Sequence, residues 1–196
     1  MEKINFIKTF IPQGDFREKY EHGGMMVRHL AAVLDEKMGA YECYECTVPI
    51  GEYDEGEIQK AFIEFTAKMD ALKLKQVKVE KIAEITAYDT SDKVNGFVLN
   101  GLLVWLDKAT RVGLMNSTTI AKAAGQQTTT LWLGDVKLEV DCDKAIQLLS
   151  ALEMYALECF NVTAAHKAAV TDLKTIKEVE AFDVTADYPK QLEMKL

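Results

Sequence analysis

The 196-residue chain is poor in the residues that announce chemistry, with four cysteines, three histidines, three prolines and two tryptophans. No stretch of apolar residues approaches the roughly twenty that a membrane-spanning helix requires. The opening Met1-Glu2-Lys3-Ile4-Asn5 has neither the apolar core nor the small-residue cleavage site of a signal peptide. The expectation is a protein made in the cytoplasm with no membrane partner. Basic residues are also in deficit: 23 against 31 acidic ones, a net charge of −8. That balance opposes the counterion release that drives non-specific binding to DNA or RNA, so no nucleic-acid partner is expected.

Four cysteines are too few for a disulfide framework. Cys43-Tyr44-Glu45-Cys46 has the spacing of zinc and thioredoxin motifs, but it lies in a segment that reads as a strand, where residues three apart face opposite sides. Cys142 and Cys159 are singles, so no second Cys-x-x-Cys completes a four-ligand site. Nucleophile elbow, zincin helix, P-loop and dinucleotide fingerprint are all missing from the sequence. His166 falls on an apolar helical stripe, more than a hundred residues from His22 and His29, and is expected at the core edge, bonded to a backbone carbonyl. Asn161-Val162-Thr163 matches a glycosylation sequon inside a helix and is set aside. The expectation is therefore no catalytic residue, no metal, no cofactor and no enzyme activity.

What the chain does have is regular pattern. Residues 4–11 read as a short strand ending at Pro12-Gln13-Gly14, and residues 41–48 as a clearer one. Residues 25–39 fit either a helix, through Met26, Leu30, Val33 and Leu34, or one arm of a hairpin turning at 35–39; the hairpin is favoured, since strand 41–48 needs an antiparallel neighbour. Asp54 and Glu57 form a capping box, and Ile58, Ala61, Phe62, Phe65, Met69 and Leu72 mark one face of the helix that follows. The lysine-rich stretch 73–81 leads to a second helical pattern through Val79, Ile82 and Ile85, stopping at the turn Asp89-Thr90-Ser91-Asp92, where the chain divides most readily. Asn100-Gly101 between apolar runs predicts a hairpin at 95–106; a helix follows over 107–124 to Gly125, then a hairpin at 129–140 turning at Gly134-Asp135. The longest helix is predicted at 143–171, with one apolar row through Leu148, Leu152, Tyr155, Cys159, Val162 and Val170 and a spare row through Ile146, Leu149, Ala156 and Phe160. A short helix at 175–182 and an irregular tail complete the chain. No sequence repeat is seen.

These elements predict an α+β protein: an N-terminal strand-and-helix module at 1–79, then a domain at 80–196 in which two β-hairpins form a small antiparallel sheet on the long C-terminal helix. Trp105 and Trp132 are expected to pack on one face of that sheet and anchor the core, and Asp107 and Arg111, four apart at a helix start, to form an ion pair.

The ensemble Tyr88-Asp89-x-Ser91, Val94-Asn95-x-Phe97, Trp105-Leu106-Asp107, Arg111, Leu131-Trp132 and Leu152-x-x-Tyr155-Ala156-x-x-Cys159 resembles a domain of unknown function from tailed phages and prophages of Bacteroides, encoded among tail and tail-fibre genes, over about residues 80–188. The resemblance carries no reaction or cofactor with it. It implies a non-enzymatic structural protein of the virion tail or neck, homo-oligomeric, with other tail or neck proteins as partners, found in the host cytoplasm during assembly and then in the virion. A tail-fibre assembly chaperone is the alternative, and a tail-associated glycan hydrolase or glycan-binding module the alternative of another class. Asp89, Asn95, Phe97, Trp105, Asp107, Arg111, Trp132 and Tyr155 are then expected to be fold determinants.

Overall fold

The structure, a computed structural model, describes residues 4, 6–11, 16–19, 24–35, 40–49 and 51–195. The expected strand stop at 12–14, the turn residues 36–39 and His22 lie outside them. The chain separates into two units, Met1–Lys73 and Leu74–Leu196.

In the first unit, β1 (Ile7–Ile11), β2 (Phe16–Lys19), β3 (Gly24–Asp35) and β4 (Ala40–Pro49) form an antiparallel sheet in the order β1-β4-β3-β2. Residues 24–35 are thus a hairpin arm, as favoured, and their pairing with β4 shifts register between Leu30 and Ala32 and between Val33 and Asp35. Strand β2 was not foreseen; its Phe-Arg-Glu-Lys sequence has no period-two pattern to mark it. Helix α1 (Glu55–Asp89) begins at the capping box, with Asp54 Oδ1 accepting from the Glu57 amide at 2.8 Å and Glu57 Oε2 from the Asp54 amide at 3.0 Å. Its first turns supply Ile58, Phe62 and Phe65 to a core with Phe6, Val27, Cys46 and Val48. Four rings interlock there: Tyr44 meets Phe65 edge-on at 5.0 Å, and Phe6 lies 5.3 Å from Phe62. Cys43 and Cys46 are both buried, and burial pushes the Cys46 thiol up to about 11, which disfavours the thiolate.

The two helical patterns expected on either side of 73–81 are one continuous helix. Lysine is a good helix former, and Leu74, Val77, Ile82 and Ile85 keep the helical spacing through the stretch. The turn after Asp89 therefore lies inside the second unit. There α2 (Asp92–Asn95) leads to a hairpin of β5 (Phe97–Leu99) and β6 (Leu102–Val104), then α3 (Lys108–Ala123), a second hairpin of β7 (Thr128–Leu133) and β8 (Val136–Asp141), α4 (Cys142–Asp172), α5 (Ile176–Glu180) and β9 (Glu193–Met194). Asn100 and Gly101 both take positive φ, 49° and 84°, the conformation a type I′ turn requires. The hairpins pack with α4 around one apolar core that includes Phe97, Leu99, Leu131, Leu133, Leu148 and Leu152.

They do so as two sheets, not a common one: β5 pairs with β6 on one side and in parallel with β9 on the other, while β7 and β8 stand as a pair. A second core joins the C-terminal turns of α1 to α4 and α5 through Ile85, Val170 and Val179. Lys78 of α1 donates to the carbonyl of Thr171 at 2.6 Å, satisfying an acceptor at the end of α4. Among the described residues no helix is long and apolar enough to cross a membrane.

Candidate binding cleft

In the second unit a cleft of about 390 Å³ opens where the segment before β5, the start of α3 and the middle of α4 meet. Its floor is apolar, from Val94, Phe97, Leu106 and Leu152, all buried. Asp89, Asn95, Lys108, Arg111 and Glu153 supply the polar lining, and Leu157 and Phe160 carry apolar surface out to solvent, with Phe160 66% exposed.

Three of these polar groups, Asp89, Arg111 and Glu153, are already bonded, and the cap beside them is too. Asp107 caps α3, its Oδ1 accepting from the Thr110 amide at 2.9 Å and its Oδ2 from the Thr110 hydroxyl at 2.6 Å. Those bonds from Thr110 hold its carboxyl below the usual carboxylate range. Arg111, one turn into α3, turns away from Asp107: its Nε donates to Glu153 of α4 at 2.8 Å and its Nη1 to the Leu106 carbonyl at 2.7 Å. The expected Asp107–Arg111 pair is replaced because each group has a better-aligned partner. Asp89 accepts from the Thr163 hydroxyl at 2.7 Å, and Thr163 lies 2.7 Å from the Tyr188 hydroxyl. Thr163 has one proton and gives it to Asp89, so Tyr188 is the donor in the second bond.

The Tyr155 hydroxyl is buried without a hydrogen bond of good geometry, beside the Cys159 thiol. Burial raises both groups, so at neutral pH they remain a phenol and a thiol. Two turns further along α4 His166 is buried, edge-on to Phe182 at 5.2 Å and to Tyr188 at 5.5 Å, and its Nδ1 has no partner where a backbone carbonyl was expected.

Five of the eight signature residues, Asp89, Asn95, Phe97, Arg111 and Tyr155, line this one cleft, although nothing in the sequence joins Arg111 to Glu153 or Asp89 to Thr163. Asp107 borders it as the cap. The tryptophans do not share it, and neither anchors the core: Trp105 is 54% and Trp132 56% exposed. A period-two reading would have found this, since Val104 and Leu106 flank Trp105 and Leu131 and Leu133 flank Trp132, and all four are buried.

Residues 76–186, more than half of the chain and most of the second unit, match the family described as a domain of unknown function, DUF4376. The chain belongs to the DUF4376 family. No curated protein and no solved structure matches it. The DUF4376 region contains all eight signature residues and the whole cleft. Chemically the arrangement can hold an apolar side chain against Phe97, Leu106 and Leu152 and offer Lys108 and Asn95 at the edge. It is poorly suited to acid–base work. Glu153 is engaged by Arg111 and Asp89 by Thr163, whereas a glycosidase-type acid is an unpaired carboxyl in apolar surroundings.

Proposed function

We propose that this DUF4376 protein is non-enzymatic and acts by protein–protein contact, as a component of the tail or neck region of a tailed phage or prophage. The observation that carries the contact reading is the cleft, where an apolar floor and an exposed apolar rim surround an Arg111–Glu153 pair and an Asp89 carboxylate bonded to Thr163. Such a surface binds an apolar side chain at little desolvation cost, its carboxylates are engaged, and burial keeps the Cys159 thiol and Tyr155 phenol protonated. The tail setting rests on the resemblance of the signature residues to phage domains.

Mass spectrometry of purified particles tests the setting, with the protein expected at a fixed copy number. Presence in the assembling lysate alone would favour the assembly-chaperone alternative. The cleft is tested by Phe160→Asp at an exposed position: the melting temperature should hold while incorporation falls. Unchanged incorporation would remove the cleft from the reading.

A glycan-binding role is favoured by a different observation, the exposure of both Trp105 and Trp132. Exposed indole faces stack on sugar rings. Titration with host surface polysaccharide, followed by tryptophan fluorescence, separates the two readings: quenching lost in Trp105→Ala or Trp132→Ala supports sugar binding, and a flat titration rejects it.

A further inference from the structure

We propose that β8 is a self-complementary edge through which two copies of this chain pair, joining their β7–β8 hairpins into one four-stranded antiparallel sheet. The surface uses none of the cleft residues and stands apart from the function proposed above.

The hairpin closes with a two-residue turn, so its flanking pair, Leu133 and Val136, exchanges both hydrogen bonds, as do Leu131–Leu138 and Thr129–Val140. The intervening residues Lys137 and Glu139 then turn their N–H and C=O groups away from β7. Among the described residues β8 has no other strand neighbour, and no side-chain bond of Lys137 or Glu139 is formed. Both side chains are exposed.

An antiparallel pairing about a two-fold axis at Leu138 sets Lys137 of each copy opposite Glu139 of the other. These are the residues whose outward backbone groups are free to bond, so ladder and charge agree. Registers centred on Lys137 or on Glu139 instead set like charges face to face on the axis. In the Leu138 register the inner face gains a continuous row, Leu131, Leu138, Leu138 and Leu131, of which Leu131 is buried in the core and Leu138 partly buried against it. Across the outer face Trp132, already opposite Lys137 within the hairpin, lies one strand from the new ion pair. At the two ends of the segment Asp141, the last residue of β8, falls opposite Asp135 in the turn of the other copy. The Asp141 carboxylate is occupied by the Asp143 and Lys144 amides, and both residues are solvent-accessible at the frayed ends of the pairing, so this like-charge contact is weaker than the central Lys137–Glu139 pairs. A lone lysine on an edge strand discourages pairing; a lysine and a glutamate two residues apart on one edge select a single antiparallel partner, a second copy.

Sedimentation of the full chain across the micromolar range tests this. The wild type should dimerise. Lys137→Glu and Glu139→Lys should each weaken the dimer roughly tenfold or more, because both symmetry-related pairs become repulsive at once. An equimolar mixture of the two single variants should recover the dimer, as should the double exchange Lys137→Glu/Glu139→Lys. Amide hydrogen exchange on the wild type needs no variant: the Lys137 and Glu139 amides should slow as concentration rises. A wild type that stays monomeric would overturn the proposal. So would a dimer unmoved by either substitution, a mixture of the variants that does not pair, or edge amides that exchange freely in the dimer.

Discussion

The second unit contains the same local plan twice. β5 and β6 turn at Asn100-Gly101 and run into an aspartate that caps α3; β7 and β8 turn at Gly134-Asp135 and run into an aspartate that caps α4. The two copies solve one problem differently. Strands of three residues make too few ladder bonds to hold a hairpin, so the first is tied down from outside. The tail strand β9 pairs with β5, with the Val98 amide donating to Leu192 at 2.8 Å and the Asn100 amide to Met194 at 2.9 Å, and Arg111 clamps the carbonyl of Leu106 just beyond β6. The second hairpin has six-residue strands and a longer ladder and takes no third strand, so β7 and β8 are both edges, where the first leaves only β6 as one. A short hairpin borrows a third strand to hold together, and a longer one stands on its own ladder.

Breaking the first module should therefore cost most. Phe97 is 2% exposed and forms both core and cleft floor. Phe97→Ala should destabilise by about 3–5 kcal/mol, from lost transfer energy plus the cavity, read as a lower denaturant midpoint at unchanged slope. A loss under about 1 kcal/mol would mean that this hairpin is not what holds the unit together. Arg111→Ala comes next, at about 2 kcal/mol, since it strands the Leu106 carbonyl and leaves Glu153 without its partner. Arg111→Lys should recover little of that, because one ammonium cannot reproduce a planar fork reaching two acceptors.

The difference between the modules was only partly legible in the sequence. The turns, the α3 and α4 spans and the Asp54–Glu57 box were readable because each is set by a few adjacent residues with special φ or a capping oxygen. The α+β class followed from their order. Strand β9 was not readable, being two residues long and paired in parallel with a segment almost a hundred positions earlier. The cleft was not readable either, since it depends on Arg111 reaching Glu153 and Asp89 reaching Thr163 across the fold. The tryptophans take the outer face for another reason: the alternation of their buried neighbours, and not the size of the indole, sets the face a strand residue takes.

A smaller effect belongs to the cap of α3. The Asp107 carboxyl is held below its ordinary range by the Thr110 hydroxyl first and the Thr110 amide second. Its folded-state value lies below the unfolded one, so its contribution is complete above the ordinary carboxylate range and is lost as pH falls through the depressed value. Asp107→Ala should lower the melting temperature by roughly 2–4 °C at neutral pH, and that gap should close in strong acid. A gap that stays constant with pH would mean that the charge of the cap plays no part.

The smallest effect on stability belongs to Trp132, although it is among the largest side chains in either module. It is 56% exposed on β7, while its neighbours Leu131 and Leu133 are each 1% exposed and carry the packing. Within the hairpin it faces Lys137, a cross-strand contact worth at most about 1 kcal/mol. Trp132→Ala should therefore change the stability of the monomeric chain by no more than about 0.5 to 1 kcal/mol, whereas Leu131→Ala should cost about 2–5 kcal/mol. Denaturant titration at low protein concentration, where self-association through β8 would not contribute, makes the comparison. Equal losses would mean that the indole is packed after all. The expected asymmetry would leave Trp132 as surface held ready for contact, beside the edge that a second copy is proposed to cover.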